Sequence, residues 1–173
     1  MNKAMNPSTV APPLGRYSHS IAIPANSRLL MISGQVGVGP DGRLKEGAEA
    51  QTEQACLNIV AILEANGMSI ADVVKLNTYM IDLADLAAVR AGRIRVFGEA
   101  APASTLAVIK SLVGPQYLVE VEAIAAKAER GAAVGRSAGG RASVKRAARN
   151  RAKPATRKAG ARAKKAKRRT SRR

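Results

Sequence analysis

The chain carries one histidine, His19, and one cysteine, Cys56. An imidazole titrates near neutrality and can move a proton at either ring nitrogen. His19 shares one side of a strand-like alternation with Tyr17, and a lone histidine so placed is more often a surface or hydrogen-bonded residue than a catalyst. Cys56 falls on one stripe with Ile59, Val60 and Leu63, which makes it a small buried hydrophobe before it is a nucleophile. Glu120 and Glu122 share a face by period two, as members of a solvated edge or as the lining of a cleft. No cluster of His, Cys and carboxylate has metal-ligand spacing, and no phosphate loop of the Walker type is present. Gly37-Val38-Gly39 is not the G-x-G-x-x-G of a dinucleotide loop, and no βαβ unit surrounds it.

The remaining chemistry is cationic, and it is unevenly distributed. From Met1 to Lys127 there are 11 Lys and Arg against 11 Asp and Glu, whereas Ala128 to Arg173 holds 18 against the single Glu129. The formal charge of +17 therefore belongs to the last segment, and such asymmetry points to a polyanion as its partner. Lys153, Arg157 and Lys158, then Lys164, Lys165, Lys167, Arg168 and Arg169, stand among Ala and Gly in the manner of linker-histone and bacterial histone-like tails. Spread this way they neutralise phosphates without reading bases, and the absence of aromatic residues argues against stacking on single strands. Acidic lipids or proteins are the other partners such a tail can take.

The elements that must position these groups follow from hydrophobic period. Residues 1–15, with Pro7, Pro12 and Pro13, read as a flexible leader. Residues 16–23 and 29–33 read as two strands, joined by a hairpin turn at Asn26-Ser27. Pro40-Asp41-Gly42 marks a turn, and residues 48–66 switch to a helical period ended by Gly67 at a left-handed C′ position. Ser69 and Asp72 resemble a capping box. Residues 73–81 alternate again, residues 84–97 form a second helix weakened by Gly92, and 106–112 and 117–125 close the domain as two strands across Gly114-Pro115. The expected order is β-β-α-β-α-β-β, an α+β domain over residues 16–127 with both helices on one face of the sheet. Residues 128–173 lack any hydrophobic period and are expected to be disordered when free, because they cannot bury enough apolar area to offset ordering entropy of about 1–2 kcal/mol per residue. A single cysteine allows no intrachain disulfide. With no apolar run resembling a signal peptide or a membrane span, a soluble cytoplasmic protein is expected, associated with the nucleoid if its tail holds DNA.

Seven fragments in register carry a family resemblance. They are Gly15-Arg16-Tyr17-Ser18; Ile32-Ser33-Gly34-Gln35; residues 51–55 with Asn58-Ile59; Asp72-Val73-Val74-Lys75; Asp82; Pro102-Ala103; and residues 119–125. In order and spacing they resemble the Rid (YjgF/RidA) family, from about Ala11 to Lys127. The resemblance implies a chorismate-mutase-like fold assembled as a homotrimer with small-molecule clefts between subunits. It further implies hydrolysis of imine or enamine intermediates such as 2-iminobutanoate to an oxo acid and ammonia, with no metal or organic cofactor. Carried over by motif, Tyr17 is the cleft tyrosine, Ser33 the serine before Gly-Gln, and Glu120 the acid that orients the hydrolytic water. The family's carboxylate-gripping arginine is here Ser104. With Thr105 beside it and Arg16 next to Tyr17, it is left to contact substrate, and a neutral hydroxyl does not replace a guanidinium's two charge-assisted hydrogen bonds. Arg16 is the best candidate for a substitute arginine, with Arg93 and Arg95 as alternatives. A second reading is a non-catalytic trimer that presents cationic arms to nucleic acid.

Overall fold

Val119, Val121, Ala123 and Ala125 alternate with Glu120, Glu122 and Ile124, and this two-residue period turns the first four to one face of strand β6 (Val119–Ala128). In the computed structural model, which describes residues 1–129, that strand lies at the centre of a four-stranded sheet. It is flanked antiparallel by β3 (Ser27–Val36) and β4 (Val73–Met80), and β5 (Ala103–Val108) pairs parallel with the far side of β4. Helix α1 (Gly47–Ala65) joins β3 to β4 as a split β-α-β unit with β6 inserted between the two strands, and α2 (Leu86–Phe97) joins β4 to β5. The core is one cluster in which Cys56, Ile59 and Leu63 of α1 and Val89 and Phe97 of α2 meet the inward residues of β4 and β6. Both helices therefore cover the same face, as expected for this α+β architecture.

Two glycines set how the helices end and cross. Gly67 adopts φ +65°, its N–H donates to the Glu64 carbonyl at 2.9 Å, and the Met68 N–H donates to the Leu63 carbonyl at 2.8 Å. With Met68 and Leu63 both buried in the core, this is a Schellman termination, which favours glycine because other residues resist the left-handed region. Gly92, read from sequence as a weak point of the second helix, is where α2 presses on α1. A methyl group there would collide with the Glu49 carbonyl and lie 2.9 Å from the Thr52 Cβ. The expected Ser69–Asp72 cap is present, with the Ser69 N–H donating to Asp72 Oδ2 at 2.9 Å.

Several expectations are corrected. The leader contains strand β1 (Lys3–Met5), which pairs antiparallel with β2 (Ser20–Ala22), and Asn2 donates to the Ala126 carbonyl at 2.7 Å. Backbone pairing overrides the absence of hydrophobic period in so short a segment. Asn26 does turn the chain, at φ +62°, but β2 is drawn to β1 and β3 to β6, so no hairpin forms between them. The two closing strands are not neighbours either. After α2, strand β5 runs parallel to β4, and residues 109–118 return the chain to the vacancy between β3 and β4. β5 starts three residues earlier than its apolar pattern indicates, because pairing with β4 from Lys75 opposite Ala103 recruits the polar Ser104 and Thr105. Finally, β6 reaches Ala128, the Glu129 N–H donates to the Asn26 carbonyl at 3.3 Å, and Arg28 pairs with Glu129 at 3.4 Å. The body thus takes in two residues assigned by composition to the tail. Lys153, Arg157, Lys158, Lys164, Lys165, Lys167, Arg168 and Arg169 lie outside the described residues.

Cys56 is fully buried, and burial pushes its thiol from an ordinary 9.0 up to about 12 against a smaller opposing pull from Arg93. Three measurements check the fold. Gly67→Ala, which meets open space, should cost about 1 kcal/mol of left-handed strain. Gly92→Ala should cost more, roughly 1–3 kcal/mol of overpacking, despite alanine's better helix propensity; equal urea midpoints would contradict the close crossing. Because the unfolded thiol ionises more readily than the folded one, stability should fall as pH rises through 9 toward 12. Replacing Cys56 with alanine should remove that part of the slope.

Candidate functional site

The segment before β2 is tied to the start of β5 at Ser18. Its N–H donates to the Pro102 carbonyl at 3.2 Å and its Oγ to the Ala101 carbonyl at 2.7 Å, with the side chain buried. This seam holds Tyr17 over the edge strand, facing α2. Between residues 14–17, α2 and β5 lies a pocket of about 380 Å³, a size that suits a small metabolite. Tyr17, Arg16 and Ser104, three of the residues singled out from sequence, line it together. Val89 and Ile94 of α2, Leu14 and Leu106 supply apolar walls, and Thr78 of β4 also contributes. The Tyr17 hydroxyl accepts a long hydrogen bond from the Leu14 N–H at 3.4 Å, and its ring meets that of His19 edge-on at 6.0 Å.

The three candidate arginines stand in different surroundings. Arg16, at the pocket's border, donates to the Gly98 carbonyl at 2.8 Å and pairs with Glu99 at 2.7 Å. Arg95 pairs with Glu49 at 2.7 Å on the surface between the helices. Arg93, projecting from α2, donates through Nη1 to Ser104 Oγ at 3.3 Å and through Nη2 to the Arg16 carbonyl at 2.8 Å. Its guanidinium therefore stands against the position where the resemblance calls for an arginine on β5. Desolvation lowers its pKa from the ordinary arginine value, and it remains charged. The sequence did hold a signal for this residue. Arg93 lies four positions after Val89 and four before Phe97, so a cation occupies the inward stripe of α2.

The other expected site residues lie on the opposite, open face of the sheet. Ser33 and Gly34 bulge out of β3 where the register with β6 shifts between Ile32 and Gln35. Glu120 lies over this bulge so closely that a Cβ on Gly34 would fall on its carboxylate. Beside it, Glu122 Oε1 accepts from Asn77 Nδ2 at 2.6 Å and from the Tyr79 hydroxyl at 3.1 Å, and this carboxylate raises the Tyr79 pKa. Thr105 also faces this side and accepts from Lys75 Nζ at 2.7 Å. Within one chain, then, Tyr17, Arg16 and Ser104 form one group, Ser33 and Glu120 a second, and Thr105 belongs to neither. His19 does not line the pocket, and its Nδ1 is buried without a partner among the described residues. No group of three His, Cys, Asp or Glu among the described residues is arranged to hold a metal ion, and none of their helices is long and apolar enough to cross a membrane.

Comparison with known proteins agrees with this architecture. The family model described as Endoribonuclease L-PSP matches residues 8–127. A RutC family protein of Pyrococcus horikoshii is 39% identical over 117 residues, covering 66% of this chain and 90% of its own. The 2-iminobutanoate/2-iminopropanoate deaminase of Salmonella typhimurium is 30% identical over 131 residues, 73% of this chain and 99% of its own. Among solved structures, a Rid family protein of unknown function from Yersinia pestis superposes with a TM-score of 0.64 at 34% identity, over 72% of this chain and 97% of its own. The family model and these relatives match nearly the whole of the described chain and nearly the whole length of the relatives, and the chain belongs to the Rid (YjgF/RidA) family.

Proposed function

We propose that this protein hydrolyses reactive imine or enamine intermediates to oxo compounds and ammonia, in clefts completed by neighbouring copies of itself. The observation that carries the reading is that Tyr17 and Ser104, from segments 87 residues apart in sequence, line one pocket of metabolite size. The deaminase name borne by relatives in Salmonella and Escherichia coli supports it. In the reaction, the oxygen of water bonds to the imine carbon while the C–N π electrons pass to nitrogen, which takes up a proton. In the resulting carbinolamine the hydroxyl proton passes, through solvent or a side chain, to the nitrogen as the C–N bond breaks and the C=O bond forms, releasing the oxo compound and ammonia. The protein's task is to orient the imine and to place a water near a proton acceptor. Glu120, on the open face, is suited to the second task if a neighbouring copy brings that face to the pocket's mouth. Leu29 and Met31, outward on the same sheet and 50% and 64% exposed, are apolar surface that a second copy would cover. A homotrimer of the family's kind supplies this arrangement.

A second reading concerns the cationic segment, and it rests on the confinement of the chain's whole net charge to residues 128–173. Eighteen cations with one acid and no aromatic residue suit the phosphates of nucleic acid, and three such segments on one assembly would raise avidity well beyond that of one. Chemistry in the body and attachment to nucleic acid, at the nucleoid, are compatible roles.

Purified protein should accelerate ammonia release from freshly generated 2-iminobutanoate, and Glu120→Gln should lower kcat/KM by about 10² or more. A folded trimer that releases ammonia no faster than buffer would remove the hydrolase reading. The full chain should bind duplex DNA with an affinity that falls steeply with salt, roughly in proportion to the phosphates neutralised. A chain ending at Glu129, the last residue tied to the body, should lose that binding; undiminished affinity would assign it to the body instead.

A further inference from the structure

Arg93 is a half-buried cation whose hydrogen-bond partners are both neutral. Its guanidinium has five N–H donors, and two are accounted for by the Ser104 hydroxyl and the Arg16 carbonyl. Among the described residues, Arg16 has Glu99, Arg28 has Glu129, Arg43 has Asp41 and Arg95 has Glu49, whereas Arg90 and Arg93 have no carboxylate partner. Among the described residues, no acidic side chain pairs with Arg93 and none lines the pocket it faces. Arg90, one helical turn earlier on the same wall, adds to the positive field there. A desolvated positive charge without a counter-ion is costly, and it is retained where an anion arrives to meet it.

We infer that Arg93 is the carboxylate-binding residue of this pocket: a guanidinium delivered from helix α2 grips the ligand's carboxylate, while Leu14, Ile94 and Leu106 receive an apolar side chain. The assignment rests on the imine-hydrolase reading for the class of ligand, a 2-imino or 2-oxo monocarboxylate, and on the geometry for the residue. Ser104 becomes intelligible as part of the arrangement. Its short hydroxyl leaves room for the arriving guanidinium and accepts one of its N–H groups, which orients the planar fork toward the pocket. An arginine at 104 beside Arg93 would instead place two like charges together. The apolar walls favour a ligand with a larger side chain than the ethyl group of 2-iminobutanoate, and a single unpaired guanidinium suits a monoanion.

The test measures binding apart from turnover. Calorimetric titration of the full chain with 4-methyl-2-oxopentanoate, and with its neutral primary amide, should show Arg93→Gln weakening the acid at least tenfold with little effect on the amide. Arg93→Lys, which keeps the charge but not the fork, should fall between. Relocating the guanidinium with Arg93→Ser and Ser104→Arg together should restore most of the acid's affinity, whereas Ser104→Arg alone should not improve on the parent. The assignment is overturned if Arg93→Gln binds the acid as tightly as the parent, if acid and amide are lost equally, or if the parent binds no 2-oxo acid. Failure of the hydrolase reading is separately visible: oxo-acid binding that depends on Arg93, with no ammonia released from any imine, leaves this residue's role standing and removes the enzyme.

Discussion

The alternation along β6 holds the molecule together, because one run of residues serves two opposed faces. Inward, Val119, Val121, Ala123 and Ala125 close the core against both helices. Outward, Glu120 and Glu122 stand on the open face, one over the Ser33–Gly34 bulge and the other bound by Asn77 and Tyr79. A shift of one residue in register would put carboxylates into the core and valines on the open face, so the hydrophobic term that stabilises the sheet also specifies where its acids stand. The small inward alanines at 123 and 125 let α1 approach this strand, and α1 in turn receives α2 at Gly92. The pocket wall is thus the last member of a stack that begins at the central strand.

What could be read in advance divides along the same physical line. Elements whose burial leaves a period were visible: α1 through Cys56, Ile59 and Leu63, β4 and β6 through alternation, and the end of α1 through Gly67. Elements made by backbone pairing alone were not. β1 has three exposed residues and exists because β2 supplies it with hydrogen bonds, and the start of β5 is polar because pairing with β4 determines it. Strand order was also hidden, since neighbouring periods do not say which strand enters the vacancy between β3 and β4.

The site shows the same division. Tyr17, Ser104, Ser33 and Glu120 were singled out by local motif, but motif does not reveal that they fall on two sides of one sheet. The arginines are a related case. Proximity to Tyr17 in sequence favoured Arg16, whereas the fold pairs that residue with Glu99 and turns Arg93 toward the pocket. A cation on the inward stripe of α2 was the clue, and it carries meaning only once the partner of that stripe is known.

The helix crossing at Gly92 has a bearing on how the binding charge is held. The residue that lets α2 touch α1 immediately precedes Arg93, so the root of the guanidinium is referenced to a backbone contact in the interior. An anchoring charge on β5 would instead be borne by a border strand whose outer margin is tied only at its start, through Ser18. Mounting the charge on the interior spares that strand the work of bearing it, and changes in the outer contour of the sheet can then accumulate without dragging the anion's seat along.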